Sequence, residues 1–353
     1  MNALFVVEPA FLTAHVGVRR VIIHYIAALE KDGVAVALGA PNNGAIELLR
    51  VSADTQSGQT TLEWSGRRAA PADYATTVIT NPWLCARGMP ALPGCVGIVY
   101  DLVPNLIASG CLRFSSSSGI FRFAHEHDTG FRYYLQYAKR ITCISASTRQ
   151  DFLDLCGPVR SDLEVTTHIP FEVDAAVVRS SSTNTVLLVN VLDERKNLKQ
   201  IAGILIAAYQ QKQFDVNVVG RERTSKQRVH DFFAKLTDAG IPHQWHRNAD
   251  DAELQRLYQQ AAVLLFPSLY EGLGLPVLEA QQEGVPAITT NVSSFPEINL
   301  NPTLCFEPTD VSGMTNAVVG ILSGTQECLS GETLRQALVA LLATQPSAAS
   351  IFV

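Results

Sequence analysis

The sequence lacks any apolar run that approaches the roughly 20 residues a membrane-spanning helix needs. Its first residues, MNALFVVEPAF, carry no basic cluster before an apolar segment, so we expect no signal peptide. Both absences predict a cytoplasmic protein whose contact with the inner face of the cytoplasmic membrane is at most peripheral.

Charged residues are sparse, at 17% of the 353 positions, and the net charge is −6. Because an acidic chain offers no bulk attraction to phosphate backbones, we expect no nucleic-acid partner. Hydrophobic residues reach 47%, which excludes a disordered chain, and the length allows two domains with cores of their own.

No Cys-X-X-Cys pair occurs among the seven cysteines, which are scattered along the chain. Such a set predicts neither a disulfide framework nor a structural zinc site, and it fits a reducing compartment. His125 and His127 flank Glu126, but no third ligand follows at a recognisable spacing. We therefore predict no metal and interpret the two histidines as structural or acceptor-side residues.

Short apolar runs alternate with helical patterns along the chain, which predicts an α/β fold. Leu4 to Val7 is a strand, and Gly17 stands in the loop before a helix that ends at Gly33, as in a Rossmann-type unit. Residues 40–75 show little pattern beyond a strand at TTLEW. A linker at 171–184 separates a first domain, 1–175, from a second, 176–353.

The stretch 262–286, AVLLFPSLYEGLGLPVLEAQQEGVP, is the most informative. An apolar run stopped by Pro267 predicts a buried strand, and Pro276 predicts the start of a short helix that Gly284 ends. Gly272 and Gly274 let the intervening loop approach a ligand closely. The first amides of such a helix favour anions and sugar hydroxyls.

Glu271, seven intervening residues and Glu279, within PSLYEGLGLPVLEA and followed by GVPAITTNVSSFPEI, resemble the retaining glycosyltransferases of family four. The resemblance covers most of residues 95–322. It implies the GT-B fold, in which two Rossmann-like, doubly wound domains face a cleft. It also implies that the first domain binds the acceptor and the second a nucleoside-diphosphate sugar.

The resemblance also implies roles for individual residues. Glu271 would contact the donor sugar, Glu279 the ribose hydroxyls, and the stretch around His246 the nucleobase. The backbone of Gly272, Leu273, Gly274 and Leu275 would meet sugar hydroxyls and phosphates.

Two cations would bind the diphosphate: Arg195 and Lys196, the latter expected as an exposed lysine after a strand. Asn190 and Val191 depart from the family's usual Gly-Arg pair at this point, so one phosphate-binding arginine is missing.

Two candidates lie in the first domain, and each keeps a structural alternative. Gly17 would lie beside the donor diphosphate, or it merely turns the chain. Asp101 follows a strand in Tyr100–Pro104, where the family often has His-Asp-Leu-Ile-Pro, and it would orient or deprotonate an acceptor hydroxyl. Its alternative is a capping role at the strand end.

The resemblance implies a retaining hexosyltransferase of polysaccharide biosynthesis that needs no cofactor besides its nucleotide-sugar donor. The segment 190–197 favours GDP-mannose, and the acceptor would be a glycan or lipid-linked glycan. The aromatic and basic stretch 121–140 is either a membrane-facing patch or one helix with a buried aromatic face. The alternatives for the whole chain are an inactive GT-B binding subunit that partners an active transferase, and a sugar-nucleotide epimerase.

Overall fold

A computed structural model describes residues 1–12, 16–53, 60–113, 120–173 and 184–353. The chain divides into two compact units, one formed by residues 1–172 with 345–353 and the other by residues 173–344. The predicted linker 171–184 and the serine run near 114–118 lie largely outside the described residues.

The first unit contains an eight-stranded sheet in the order β4-β3-β2-β1-β5-β6-β7-β8. The strands are β1 Asn2–Val6, β2 Ala35–Asn42, β3 Ala45–Ala53, β4 Thr60–Arg68, β5 Thr76–Ile79, β6 Cys95–Val99, β7 Ala138–Cys143 and β8 Glu164–Thr167. The helices that accompany them are α1 Val16–Lys31, α2 Val103–Ala108, α3 Ile120–Tyr137 and α4 Ala146–Cys156.

Six strands of this sheet are parallel, and the central strands β1, β5 and β6 are almost entirely buried, as expected for strands covered on both faces. In the antiparallel extension β2–β3–β4, strand β3 and the antiparallel pairing were not predicted. The missed signal is Asn43-Gly44, whose φ angles of 49° and 75° make the tight turn between β2 and β3. Asn-Gly is a strong hairpin signal because both positions need positive φ.

The second unit contains a six-stranded parallel sheet in the order β11-β10-β9-β12-β13-β14. Its strands are β9 Thr185–Val189, β10 Asp215–Val219, β11 His243–His246, β12 Val263–Phe266, β13 Ala287–Thr290 and β14 Cys305–Phe306. Its helices are α5 Leu198–Tyr209, α6 Lys226–Asp238, α7 Asp251–Gln260, α8 Leu275–Gln282, α9 Phe295–Ile298, α10 Val311–Ser323 and α11 Gly331–Ala343.

This strand order is that of a doubly wound Rossmann sheet, so the predicted α/β class is confirmed. The direction of winding reverses between β9 and β12, which are hydrogen-bonded neighbours. Open α/β sheets bind ligands outside the carboxyl ends of strands at such a reversal. The loops that follow β9 and β12 are therefore the expected place for a site.

The carboxyl end of the chain corrects the expected domain boundary, because residues 345–353 belong to the first unit. The last helix, α12 Ala348–Phe352, buries Phe352 against Tyr25, with ring centroids 4.7 Å apart. Arg140 donates to the carbonyls of Ser350 and Ile351, so a guanidinium satisfies the carbonyls that end the helix. No local sequence pattern predicts the burial of Phe352, because it depends on a tertiary contact.

Candidate functional site

The loop after β9 presents the two predicted cations of the second unit. Asp193 accepts a hydrogen bond from the amide of Arg195 at 3.1 Å and so caps a single 3-10 turn, Glu194–Lys196. Asn197 then adopts φ 63° and starts α5. The turn places Arg195 and Lys196 at the carboxyl edge of the sheet, next to the winding reversal.

Asn190 and Val191, which stand where the resembled family usually has Gly-Arg, have different effects: the first concerns the backbone and the second the charge of the site. Asn190 has φ 53°, the left-handed conformation that glycine favours and that asparagine tolerates best among other residues. The Gly-to-Asn departure therefore preserves the backbone path. Val191 is fully buried, so nothing at this position supplies the cation that the family usually carries there.

The loop after β12 brings Glu271 to the same place. The carboxylate of Glu271 accepts hydrogen bonds from Lys196 and, at 2.6 Å, from the Ser268 hydroxyl. Nη1 of Arg195 lies 3.2 Å from its other oxygen and also donates to the carbonyl of Tyr270. Arg195, Lys196 and Glu271 thus form one cluster with a net charge of about +1, which suits a bound anion.

This cluster corrects the expectation that Lys196 is exposed. Lys196 and Glu271 are only 7% and 8% exposed, and the ammonium lies 4.6 Å from the centroid of the Phe266 ring. Burial lowers the pKa of Lys196 to about 8, with Arg195 acting in the same direction and Glu271 against it. Burial would raise the pKa of Glu271, but Arg195, Lys196 and the Ser268 hydroxyl together hold it at about 2. At neutral pH the pair is therefore ionised.

The glycine loop is held in place by two serines that were not among the predicted site residues. Ser293 accepts from the amide of Glu271 at 3.0 Å, and Ser294 donates to the carbonyl of Leu273 at 2.7 Å. Gly274 has φ 93°, and a Cβ there would lie 3.1 Å from Phe295. The segment Gly272–Leu275 is therefore a fixed turn that leads into α8 at Leu275.

Glu279 lies on α8, whose first turn contains Pro276 as predicted. Its carboxylate accepts a hydrogen bond from the Tyr258 hydroxyl at 2.8 Å, and the side chain is half-buried. Tyr258, which sequence reasoning missed, is buried on α7. The tyrosine fixes the direction of the carboxylate without covering it completely.

His246 ends β11 and is buried, with hydrogen-bond partners on both ring nitrogens. Nδ1 lies 2.7 Å from Glu253, and Nε2 lies 3.3 Å from Oδ1 of Asn217. These two hydrogen bonds fix the orientation of the ring at the carboxyl end of β11. The structure does not place this ring in the Arg195–Lys196–Glu271 cluster.

The two candidates of the first unit have different surroundings from those expected. Gly17 lies inside the first turn of α1, so its predicted loop position is wrong; a glycine costs little helix stability at a frayed end. Asp101 does follow β6, and it accepts a hydrogen bond from the amide of Val103 at 3.1 Å. That contact is the capping role left open as its alternative, and it uses one carboxylate oxygen.

Among the described residues, no three His, Cys, Asp or Glu side chains form a group that could hold a metal ion. The described residues also contain no helix long and apolar enough to cross a bilayer.

The comparisons with known proteins find a family match for most of the second unit. Residues 172–330 match the family model described as glycosyl transferases group 1. An O-antigen chain mannosyltransferase B from Escherichia coli is 32% identical over 134 residues, which are 36% of this chain and 34% of that protein. An O-antigen chain mannosyltransferase from Salmonella typhimurium is 35% identical over 69 residues, 20% of each chain. The aligned part thus spans about a third or less of the curated relatives it matches.

Solved structures resemble the whole chain at low identity. Sucrose-phosphate synthase from Thermosynechococcus elongatus has a TM-score of 0.65 at 15% identity, covering 97% of this chain and 95% of that one. HepE from Anabaena, solved with UDP and glucose, has a TM-score of 0.63 at 14% identity, covering 99% and 97%. These neighbours have the GT-B fold. Residues 172–330, which include the glycine loop and the paired Glu271 and Lys196, are thus similar to the group 1 glycosyl transferases.

Proposed function

We propose that the protein is a retaining hexosyltransferase that takes its sugar from a nucleoside-diphosphate donor held by the second unit. The observation that carries this proposal is the cluster formed by the buried Lys196 and Glu271 with the half-buried Arg195, at the winding reversal of that unit. A net cation beside a helix N-terminus and a fixed glycine turn matches a diphosphate and an attached sugar.

In this proposal, the cluster stabilises the departing diphosphate. As the bond between the sugar and the phosphate breaks, negative charge grows on the phosphate oxygens. Arg195 and Lys196 are already fixed by Glu271, so they need little reorganisation at that moment. In a retaining transfer, the acceptor hydroxyl attacks from the face on which the phosphate leaves. Its proton passes to the departing phosphate, and the products are glycoside and nucleoside diphosphate.

GDP-mannose is the donor we favour. The segment 190–197 motivated this choice, and relatives that carry the name mannosyltransferase support it. The same relatives support a glycan or lipid-linked glycan as acceptor, in polysaccharide biosynthesis, because two are named for O-antigen chains. In this proposal the first unit binds the acceptor.

The proposal includes contact with an anionic membrane, and α3 supplies its basis. Phe121 is 68% exposed and Phe123 is 40% exposed at the start of the helix, with Arg122 between them. Phe131 and Tyr134, in the second half, are buried in the core of the unit. The start of α3 therefore carries the proposed contact, and its second half has the buried aromatic face.

The decisive experiment incubates the purified chain with GDP-mannose, UDP-glucose, UDP-galactose and UDP-N-acetylglucosamine and follows release of nucleoside diphosphate. We expect slow hydrolysis of one donor, with Glu271→Gln as the inactive control. The anomeric configuration of a transferred sugar, read by NMR, then tests retention. Nucleotide binding without any release would instead favour a non-catalytic subunit, which the loss of a cation at Val191 makes the second candidate.

A further inference from the structure

The first unit carries a group of polar side chains that the donor chemistry does not use. It lies where β1, β5 and β6 end, since Glu8 and Asn81 follow β1 and β5, and Asp101 follows β6. The winding of this sheet reverses between β1 and β5, which are parallel neighbours. This edge is therefore the position at which an open α/β sheet binds a ligand.

Trp83 connects this edge to α3. Its Nε1 donates to the Glu8 carboxylate at 3.3 Å, and Nη1 of Arg87 reaches the other oxygen at 3.1 Å. The indole ring is stacked on the imidazole of His127, with centroids 5.5 Å apart and planes within 11°. The stack fixes the plane in which the imidazole lies.

Gly130 makes this approach of α3 possible. A Cβ at Gly130 would lie 2.1 Å from the carbonyl oxygen of Pro82, so only glycine lets the helix lie against that backbone. His127 is three residues earlier and hence on the same face of the helix. The close contact at Gly130 therefore brings His127 over Trp83.

The hydrogen bonds of Asn105 fix the tautomer of His127. Nδ2 of Asn105 donates to Asp128 at 2.6 Å and to the carbonyl of Ala124 at 3.2 Å, so its Oδ1 faces Nδ1 of His127 as an acceptor, at 3.2 Å. Burial lowers the pKa of His127, although Asp101, Asp128 and Glu126 oppose the shift. A neutral imidazole that donates from Nδ1 has its lone pair on Nε2. His127 is therefore an oriented hydrogen-bond acceptor.

Asn81 supplies a second polar group, and this group can form one more hydrogen bond. The residue is 1% exposed, and one of its amide atoms pairs with the Thr80 hydroxyl at 2.8 Å. Its other amide atom is buried and has no hydrogen-bond partner among the described residues. Buried polar atoms are almost always paired, so this atom points to a ligand. A hydroxyl, which both donates and accepts, would satisfy it in either orientation of the amide.

The charges around this edge select the class of ligand. The carboxyl groups of Glu8, Asp101, Glu126 and Asp128 lie around His127 and Trp83, and two cations offset part of their charge: Arg87 is paired with Glu8 and the exposed Arg122 with Glu126. An anionic group such as a phosphate is disfavoured in such surroundings, in contrast to the cationic cluster of the second unit. A neutral group rich in hydroxyls is favoured.

We propose that His127 and Asn81 form a subsite for a neutral sugar residue of the acceptor, with Nε2 of His127 accepting a hydrogen bond from a sugar hydroxyl. This inference rests on the proposed function, because it is the transferase reaction that requires such an acceptor. His127 is then a specificity residue of the first unit, and Asn105 and Trp83 are its positioning residues.

The test is a saturation-transfer NMR titration of the full chain with methyl α-D-mannopyranoside. His127→Phe keeps an aromatic ring on Trp83 and removes the Nε2 acceptor, and His125→Phe is the matched control because His125 is exposed on the same helix. We expect His127→Phe to raise the apparent Kd about tenfold, as for one lost hydrogen bond, while the control binds like wild type. Asn81→Ala, expected to weaken binding in the same direction, serves if His127→Phe does not fold.

GDP binding by the same proteins separates this inference from the proposed function. We expect His127→Phe to bind GDP as wild type does. Wild type that does not bind the mannoside at tens of millimolar, or a His127→Phe variant that binds it equally well, would overturn the subsite. Failure of every protein to bind any nucleotide would overturn the donor assignment, and the mannoside titration would still decide the subsite.

Discussion

Lys196 donates a hydrogen bond to the carboxylate of Glu271, although the two residues are 75 positions apart in the sequence. Each comes from a loop that follows one of two neighbouring parallel strands, β9 and β12. The pair is buried and ionised, so it links the stability of the second unit to the electrostatics of its site.

Removal of Lys196 is expected to destabilise the protein, in contrast to removal of an exposed lysine. Lys196→Met leaves Glu271 buried with Arg195 as its remaining cation, and we expect the free energy of unfolding to fall by about 3 kcal/mol. The double variant Lys196→Met/Glu271→Gln should recover most of that loss, because the pair of opposite charges is then removed together. Urea unfolding of both, with the exposed Lys199→Met as control, measures the coupling. A double variant no more stable than the single one would contradict the pairing.

Acid should weaken the second unit through Glu271. Its pKa is about 2 in the folded protein against 4.5 for the free group, so its contribution is complete above pH 4.5 and is lost as pH falls towards 2. The loss is on the order of 3 kcal/mol. We expect Glu271→Gln to be less stable at pH 7 and to show a flatter decline of unfolding free energy between pH 5 and pH 3. Parallel declines in the two proteins would rule this out.

Glu279→Ala is expected to weaken nucleotide binding, whereas Glu271→Ala should impair transfer more than binding of the free nucleotide. Loss of a charge-assisted hydrogen bond corresponds to about 1.5–3 kcal/mol, or roughly 10-fold to 150-fold in Kd. Tyr258→Phe removes only the hydroxyl that orients Glu279, so it should have a smaller effect of the same sign. Calorimetry with GDP measures the binding of free nucleotide by all three variants. Unchanged GDP affinity in Glu279→Ala would refute its role at the ribose.

Attachment to anionic vesicles is expected to depend on the aromatic and basic stretch 121–140, which contains nearly all of α3 and the start of β7. Arginine and lysine near anionic lipid contribute about 1 kcal/mol each, so attachment should be reversible and sensitive to salt. We expect charge reversal at Arg122, Arg132 and Lys139 to abolish flotation with phosphatidylglycerol liposomes, and Phe121→Ser to reduce it. Arg50→Glu, an exposed change on β3, is the control. Flotation that is absent in wild type at low salt, or unaffected by these changes, removes the membrane contact and leaves the transferase proposal intact.

Much of the second unit could be predicted from the sequence because its signals are local. The apolar run ended by Pro267 marked a buried parallel strand, and Pro276 and Gly284 marked the two ends of α8. The hairpin after β2 was missed although Asn43-Gly44 announced it, since the flanking strands carry little alternation. Short stretches of sequence thus predicted the fold class, the loops after β9 and β12, and the identity of the cations and carboxylates at the site.

Only the tertiary structure decided how these residues meet. Burial of Lys196, its pairing with Glu271 and the support from Ser268 arise because β9 and β12 are neighbours in the sheet, and adjacency between strands so far apart in the chain has no local signal. The return of Phe352 to the first unit, and the stacking of His127 on Trp83 through the contact at Gly130, likewise depend on packing between distant segments. Local patterns fix which residues stand at strand ends, whereas burial and pKa depend on what the rest of the chain packs around them.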